Sequence, residues 1–120
     1  MPEASFPWDP ARAAVIYNPA AAGGRVGRRW PTMEALVRRH LGDVRFLGTT
    51  KAGDGKRLAQ QAITSGADVL LSLGGDGTHN EVVNGIMEAG RPAGEITFGV
   101  LPSGTGGDFR RVIRDTQTLE

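Results

Sequence analysis

The 120 residues have the length of one ordinary domain. Fourteen Lys+Arg against 13 Asp+Glu leave a net charge of +1, which argues against a dedicated nucleic-acid binder with its concentrated basic face. With no cysteine in the chain there is no disulfide scaffold, zinc ribbon or thiol nucleophile, and no apolar run approaches the ~18 residues of a membrane span.

Residues 1–12, with Pro2, Pro7 and Pro10, read as an extended lead-in; Glu3 and Asp9 interrupt any apolar stretch, so a secretory signal is not expected. The domain proper reads as 13–120. Ala13 to Tyr17 is a short apolar run stopped by Asn18-Pro19, a buried strand and a turn. After a glycine-bearing loop, Met33, Leu36, Val37 and Leu41 recur at helical spacing with Gly42 as the stop. Pro31 suits the first turn of that helix, and a start near Arg25 requires a kink there. Val44 to Leu47 is a second strand, followed by the polar loop 48–54 and a helix whose buried stripe is Leu58, Ala59, Ala62 and Ile63, closed by Gly66. Val69 to Leu73 is nearly all apolar, as a central parallel strand covered on both faces must be. A third helix carries Val82, Val83, Ile86 and Met87 to Gly90; Ile96 to Leu101 is the fourth strand, and a last helix starts near Asp108 and runs to about Ile113. Strand–helix repeated four times predicts an α/β fold, a Rossmann-like three-layer parallel sheet with helices on both faces, and places the ligand beyond the carboxyl ends of the strands.

Glycine is the outlier, at 18 of 120 residues, twice the usual ~7%. It concentrates at those strand ends. Gly77-Thr78-His79-Asn80-Glu81 and Gly104-Thr105-Gly106-Gly107-Asp108 share one pattern, a Thr followed three residues later by an acid, which reads as a capping box opening each helix. Two helix N-termini then face one crevice between the third and fourth strands, with glycines supplying positive φ and letting a phosphate reach the backbone. Neither common phosphate fingerprint is present. Thr50 and Arg57 break a P-loop around Gly55-Lys56, and Asn80 and Phe109 break Gly-x-Gly-x-x-Gly.

Gly74-Gly75-Asp76-Gly77-Thr78, continued by Asn80-Glu81-Val82-Val83-Asn84-Gly85, resembles the diacylglycerol kinase catalytic-domain family, the lipid kinases that include the sphingosine kinases. Asn18-Pro19, the segment Thr49 to Asp54, and Leu101 to Thr105 agree with it in order and spacing, so the resemblance covers about Ala13 to Ile113. It implies an ATP-binding domain that works with Mg²⁺ to transfer the γ-phosphoryl group to a lipid hydroxyl. It implies nucleotide contacts at Asn18, Thr49, Gly74, Gly75, Asp76, Gly77, Thr78, Asn80, Gly104 and Thr105, with Asp76 positioning metal and phosphate. The family's second, β-rich domain, which supplies the lipid pocket and the proton acceptor, is expected outside these residues, so the 120-residue chain is expected to be inactive on lipid alone and to self-associate. The implied location is cytoplasmic, with peripheral contact at the inner membrane surface and no nucleic-acid partner. Gly107 stands where the family writes Asn, which removes an amide from that corner. An NAD-kinase-like enzyme and a non-catalytic nucleotide-binding or assembly module are the rival readings.

Among single residues, Glu81 reads as a helix cap rather than a base, and His79 as surface chemistry. His40 reads as a partner of a helix dipole. Arg25, Arg28, Arg29, Arg38 and Arg39 form a basic first helix, solvated or facing anionic lipid. Trp8 and Trp30 either support such contact or pack.

Overall fold

The computed structural model describes residues 8–92 and 94–101 and the backbone of a two-residue strand at 117–118. In chain order the elements are β1 (Ala13–Tyr17), α1 (Arg25–Arg28), α2 (Trp30–Leu41), β2 (Arg45–Gly48), α3 (Asp54–Thr64), β3 (Val69–Leu73), α4 (Asp76–Glu88), β4 (Thr97–Leu101) and β5 (Gln117–Thr118). The sheet order is β2-β1-β3-β4-β5, parallel through β4, with β5 antiparallel to β4 at the edge. The four predicted parallel strands are thus present, shifted by one residue at most at their starts, and β5 is an addition that local pattern gave no sign of. Residues 8–12 are less extended than expected: Asp9 accepts the Ala11 N–H and starts a 3-10 turn at Pro10–Arg12.

Strand alternation sorts the core into two layers. Val15, Leu71 and Leu73 point to one face, where Val26, Met33, Val37 and Leu41 of α1 and α2 cover them. Ile16 and Leu70 point to the other, under Leu58, Ala62 and Ile63 of α3 and Val82 and Ile86 of α4. Each buried Val, Leu, Ile or Met side chain contributes about 1.5–3 kcal/mol by leaving water, and the covering on both faces explains why β3 has no exposed position. The helix near Arg25 does break before Pro31: Arg29 adopts φ −100°, ψ 8°, and α2 restarts at Trp30 with the proline in its first turn. Gly42 (φ +89°) and Gly66 (φ +106°) terminate α2 and α3 in conformations that other residues rarely adopt.

Trp8, Trp30 and Arg38 pack against the α1/α2 side of the sheet. Trp30 stacks on Tyr17 with ring centroids 3.8 Å apart and meets Phe46 edge-on, and Trp8 packs against the α1/α2 face of the core. Of the five arginines, Arg38 lies over the Phe46 ring and pairs with Glu34 and Asp43. Arg25, Arg28, Arg29 and Arg39 are exposed.

Candidate functional site

Chain direction decides where a ligand can enter. From β1 the chain moves outward to β2, then crosses back over β1 to β3, so the connections at the carboxyl ends of β1 and β3 diverge and leave a crevice between them. A cleft of about 580 Å³ lies there, lined by Asn18, Thr49, Lys51, Gly77, Thr78 and Glu81 among others. This is one strand over from the β3–β4 crevice expected from the paired corners. The second corner, with Gly104, Thr105, Gly107 and the helix expected from Asp108, lies outside the described residues.

The α4 corner differs from a capping box. The helix begins at Asp76, two residues before Thr78, and its N-cap is Gly75 in extended conformation with no side-chain cap. The backbone N–H groups of Asp76, Gly77 and Thr78 therefore begin the helix without intrahelical acceptors, and the positive end of the dipole is open. Thr78 sits in the first turn, buried, under the strand-end loop: a Cβ on Gly74 would lie 2.8 Å from its Oγ1 and 3.3 Å from Asn18 Cβ. Gly74 is thus required by packing. Gly75 and Gly77 are not, because neither has a positive φ and a Cβ on either would meet nothing within 4 Å. The expectation that these glycines supply positive φ fails, and what remains for Gly75 and Gly77 is open space beside first-turn amides that have no partner among the described residues. A helix start with open space beside it suits an anion.

The remaining expected residues divide. Asn18 bridges strand ends, its N–H donating to Leu73 O at 3.0 Å, and its Oδ1 accepts the Ala20 N–H at 2.9 Å in the turn after β1. Its side-chain NH₂ is the group left for a ligand. Thr49 is buried in the cleft wall, with its N–H on Tyr17 O at 2.9 Å. Asn18, Thr49, Gly77 and Thr78 are thus brought together, with Gly75 and the exposed Asp76 beside them at the start of α4. Asn80 is not: it is exposed on the second turn of α4, outside the cleft lining, because the helix starts earlier than the capping-box reading assumed.

Two acids near the cleft, Asp54 and Glu81, are occupied. Asp54 is buried and accepts both N–H and Oγ1–H of Thr50 at 2.8 Å, and these bonds, with Arg57 beside it, lower its carboxyl from 3.8 to about 2. Glu81 is a cap, as expected, but of α3: its Oε2 accepts Gly53 N–H at 3.0 Å and its Oε1 accepts Gly55 N–H at 2.9 Å. The start of α3 is therefore capped from within the protein, whereas among the described residues no side chain caps α4. Lys51 is the cation among the lining residues, and the reading from sequence did not single it out.

His79 is not surface chemistry. It is half-buried, with Nδ1 2.7 Å from Ser72 Oγ on β3, and burial lowers its pKa against the opposing pull of Asp76. A signal for this pair existed: a serine inside the apolar run Val69 to Leu73 needs a polar partner once both sheet faces are covered.

Among the described residues no three His, Asp or Glu side chains converge as a metal cage. A single exposed carboxylate at Asp76 suits Mg²⁺, which commonly takes one or two protein carboxylates and completes its shell with water and substrate phosphates. No described helix is long and apolar enough to cross a membrane.

Comparison with known proteins agrees with this architecture. The profile of the diacylglycerol kinase catalytic domain matches residues 12–120. Diacylglycerol kinases from Staphylococcus aureus strains bovine RF122 / ET3-1 and MRSA252 are each 39% identical over 103 residues, which cover 85% of this chain and 31% of theirs. The crystal structure of a diacylglycerol kinase from Bacillus anthracis str. Sterne superposes with a TM-score of 0.53 at 30% identity, over 83% of this chain and 35% of that one. A second solved structure from the same organism gives a TM-score of 0.54 at 28% identity, over 78% and 33%. The chain thus spans about a third of the length of the relatives it matches.

Proposed function

Because this chain belongs to the diacylglycerol kinase catalytic-domain family, we propose that it binds ATP with Mg²⁺ as part of a kinase that phosphorylates a lipid hydroxyl. The observation that carries the reading is the start of α4, which has no side-chain cap among the described residues and where a Cβ on Gly75 or Gly77 would meet open space at the edge of the cleft. The phosphates lie along that turn, with Lys51 and the Asn18 amide opposite. Asp76 would be repulsive to a polyphosphate on its own. It becomes useful when a cation stands between them, and this chain's part is to hold that cation's water shell or the cation itself. When bound, Mg²⁺ offsets the charge on the transferring phosphoryl oxygens.

In the transfer, the lipid hydroxyl oxygen bonds to the γ-phosphorus as the bond to the β-phosphate bridging oxygen breaks, ADP leaves, and the hydroxyl proton passes to a base. Asp54 and Glu81 are engaged with backbone and side-chain donors, so neither is free to serve as that base, and we assign the base and the lipid pocket to residues outside those described. Peripheral contact with an anionic membrane falls to the exposed Arg25, Arg28, Arg29 and Arg39. A cytoplasmic setting and self-association belong to the same proposal.

Titration calorimetry tests the nucleotide site. ATP is expected to bind the 120-residue chain with Mg²⁺ present, and Asp76→Ala is expected to abolish the Mg²⁺-dependent gain while leaving the fold intact, since an exposed first-turn side chain has little packing to lose. Equal ATP affinity with and without Mg²⁺, or an unchanged Asp76→Ala isotherm, contradicts the reading.

A further inference from the structure

Glu81 and Gly85 lie in the same motif as the α4 turn, yet the Glu81 carboxylate is bound to the start of α3 and Gly85 packs against α3, although Glu81 also borders the cleft. A Cβ on Gly55 would lie 2.8 Å from Glu81 Oε1, and one on Gly85 would lie 2.7 Å from the Lys56 carbonyl oxygen and 2.9 Å from Ala59 Cβ. The two helices therefore meet at glycines, and this closeness lets the Glu81 carboxylate reach across to Gly53 and Gly55. A carboxylate with both oxygens on amides at a helix start is well satisfied, and the positive dipole end favours its charge. What Glu81 secures is the segment 49–53. One end of that segment is tied by Thr49 N–H to Tyr17 O, its middle by Thr50 to Asp54, and its far end by Gly53 to Glu81. This segment is the cleft wall that carries Thr49 and Lys51 opposite Gly77 and Thr78.

We infer that Glu81 is a positioning residue, a clamp from α4 that fixes the 49–53 wall so that the cleft is assembled before its ligand arrives. The inference rests on the nucleotide reading for what the cleft holds. Its physical benefit is preorganisation: a loop already ordered does not lose its freedom on binding.

The test compares wild type, Glu81→Ala and Glu81→Gln in the 120-residue chain by amide hydrogen exchange and by titration with Mg-ATP. In Glu81→Ala the Gly53 and Gly55 amides are expected to exchange at least about tenfold faster while β1 and β3 stay protected, with Mg-ATP affinity falling by about tenfold. Glu81→Gln keeps the shape and one acceptor oxygen, so one of the two amides should lose protection and affinity should fall less. It carries the same comparison should the alanine variant lose its fold. Unchanged exchange at both amides overturns the clamp, and faster exchange with wild-type affinity overturns its positioning role. Absence of Mg-ATP binding by wild type contradicts the nucleotide reading instead, and the exchange comparison still decides whether Glu81 holds the wall.

Discussion

Glycines that look alike in the motif do opposite work. Gly85 is spent on a helix contact, so Gly85→Ala forces α3 and α4 apart and should cost about 1–3 kcal/mol of stability. A Cβ on Gly77 would meet nothing within 4 Å and the residue lies in a helix, so Gly77→Ala should leave stability unchanged or raise it by about 0.5–1 kcal/mol. On the proposed reading it should nonetheless weaken Mg-ATP binding, because the added methyl would stand in the space assigned to a phosphate. Chemical denaturation paired with calorimetry reads both effects, and wild-type affinity in Gly77→Ala would mean that the space over α4 is not used. His79 makes a second prediction at this scale. Its folded pKa is depressed by burial, so the fold favours the neutral ring: its contribution is whole above the ordinary value of 6.5 and declines as pH falls below it. Denaturation midpoints between pH 7 and 5 should fall more steeply in wild type than in His79→Gln, and parallel curves would remove the histidine from the account.

At the scale of elements, local pattern carried far. The apolar run Val69 to Leu73 required a central strand, Pro31 located the break between α1 and α2, and Gly42 and Gly66 marked helix ends. What local pattern missed was mostly long-range pairing. Thr78-x-x-Glu81 has the spacing of a capping box, yet Glu81 caps a helix 26 to 28 residues away because α3 and α4 pack at glycines. Spacing along one helix cannot show that competition. The same reason hid the Ser72–His79 bond, which joins a strand to a helix. The β2–α3 junction adds an acid-side expectation. Asp54 drops from 3.8 to about 2 on folding, so its stabilisation is present above the higher value and lost as pH falls through the lower one. Wild type should exceed Asp54→Asn in thermal midpoint at neutral pH, with the gap closing over that acid window; a gap that persists to its lower end would mean the Thr50 bonds do not depend on the charge.

For the whole molecule, the strand order β2-β1-β3-β4 places the cleft at the β1/β3 boundary, where Asn18, Thr49 and the start of α4 converge although they are distant in sequence. The motif named the residues of the α4 corner, but only the reversal of strand order told which side of that corner faces a cleft. Family membership and the open α4 turn support one account, a Mg-ATP site built on a parallel sheet whose lipid chemistry is completed elsewhere in the enzyme. Amide chemical shifts of the 120-residue chain during titration with Mg-ATP test that account most directly. Shifts are expected to concentrate at Gly74 to Thr78, with further changes at Asn18, Thr49 and Lys51 and at Gly104 to Asp108. Shifts confined to the arginines of α1 and α2, with the α4 turn unmoved, would contradict it and indicate non-specific attraction of an anion to a basic surface.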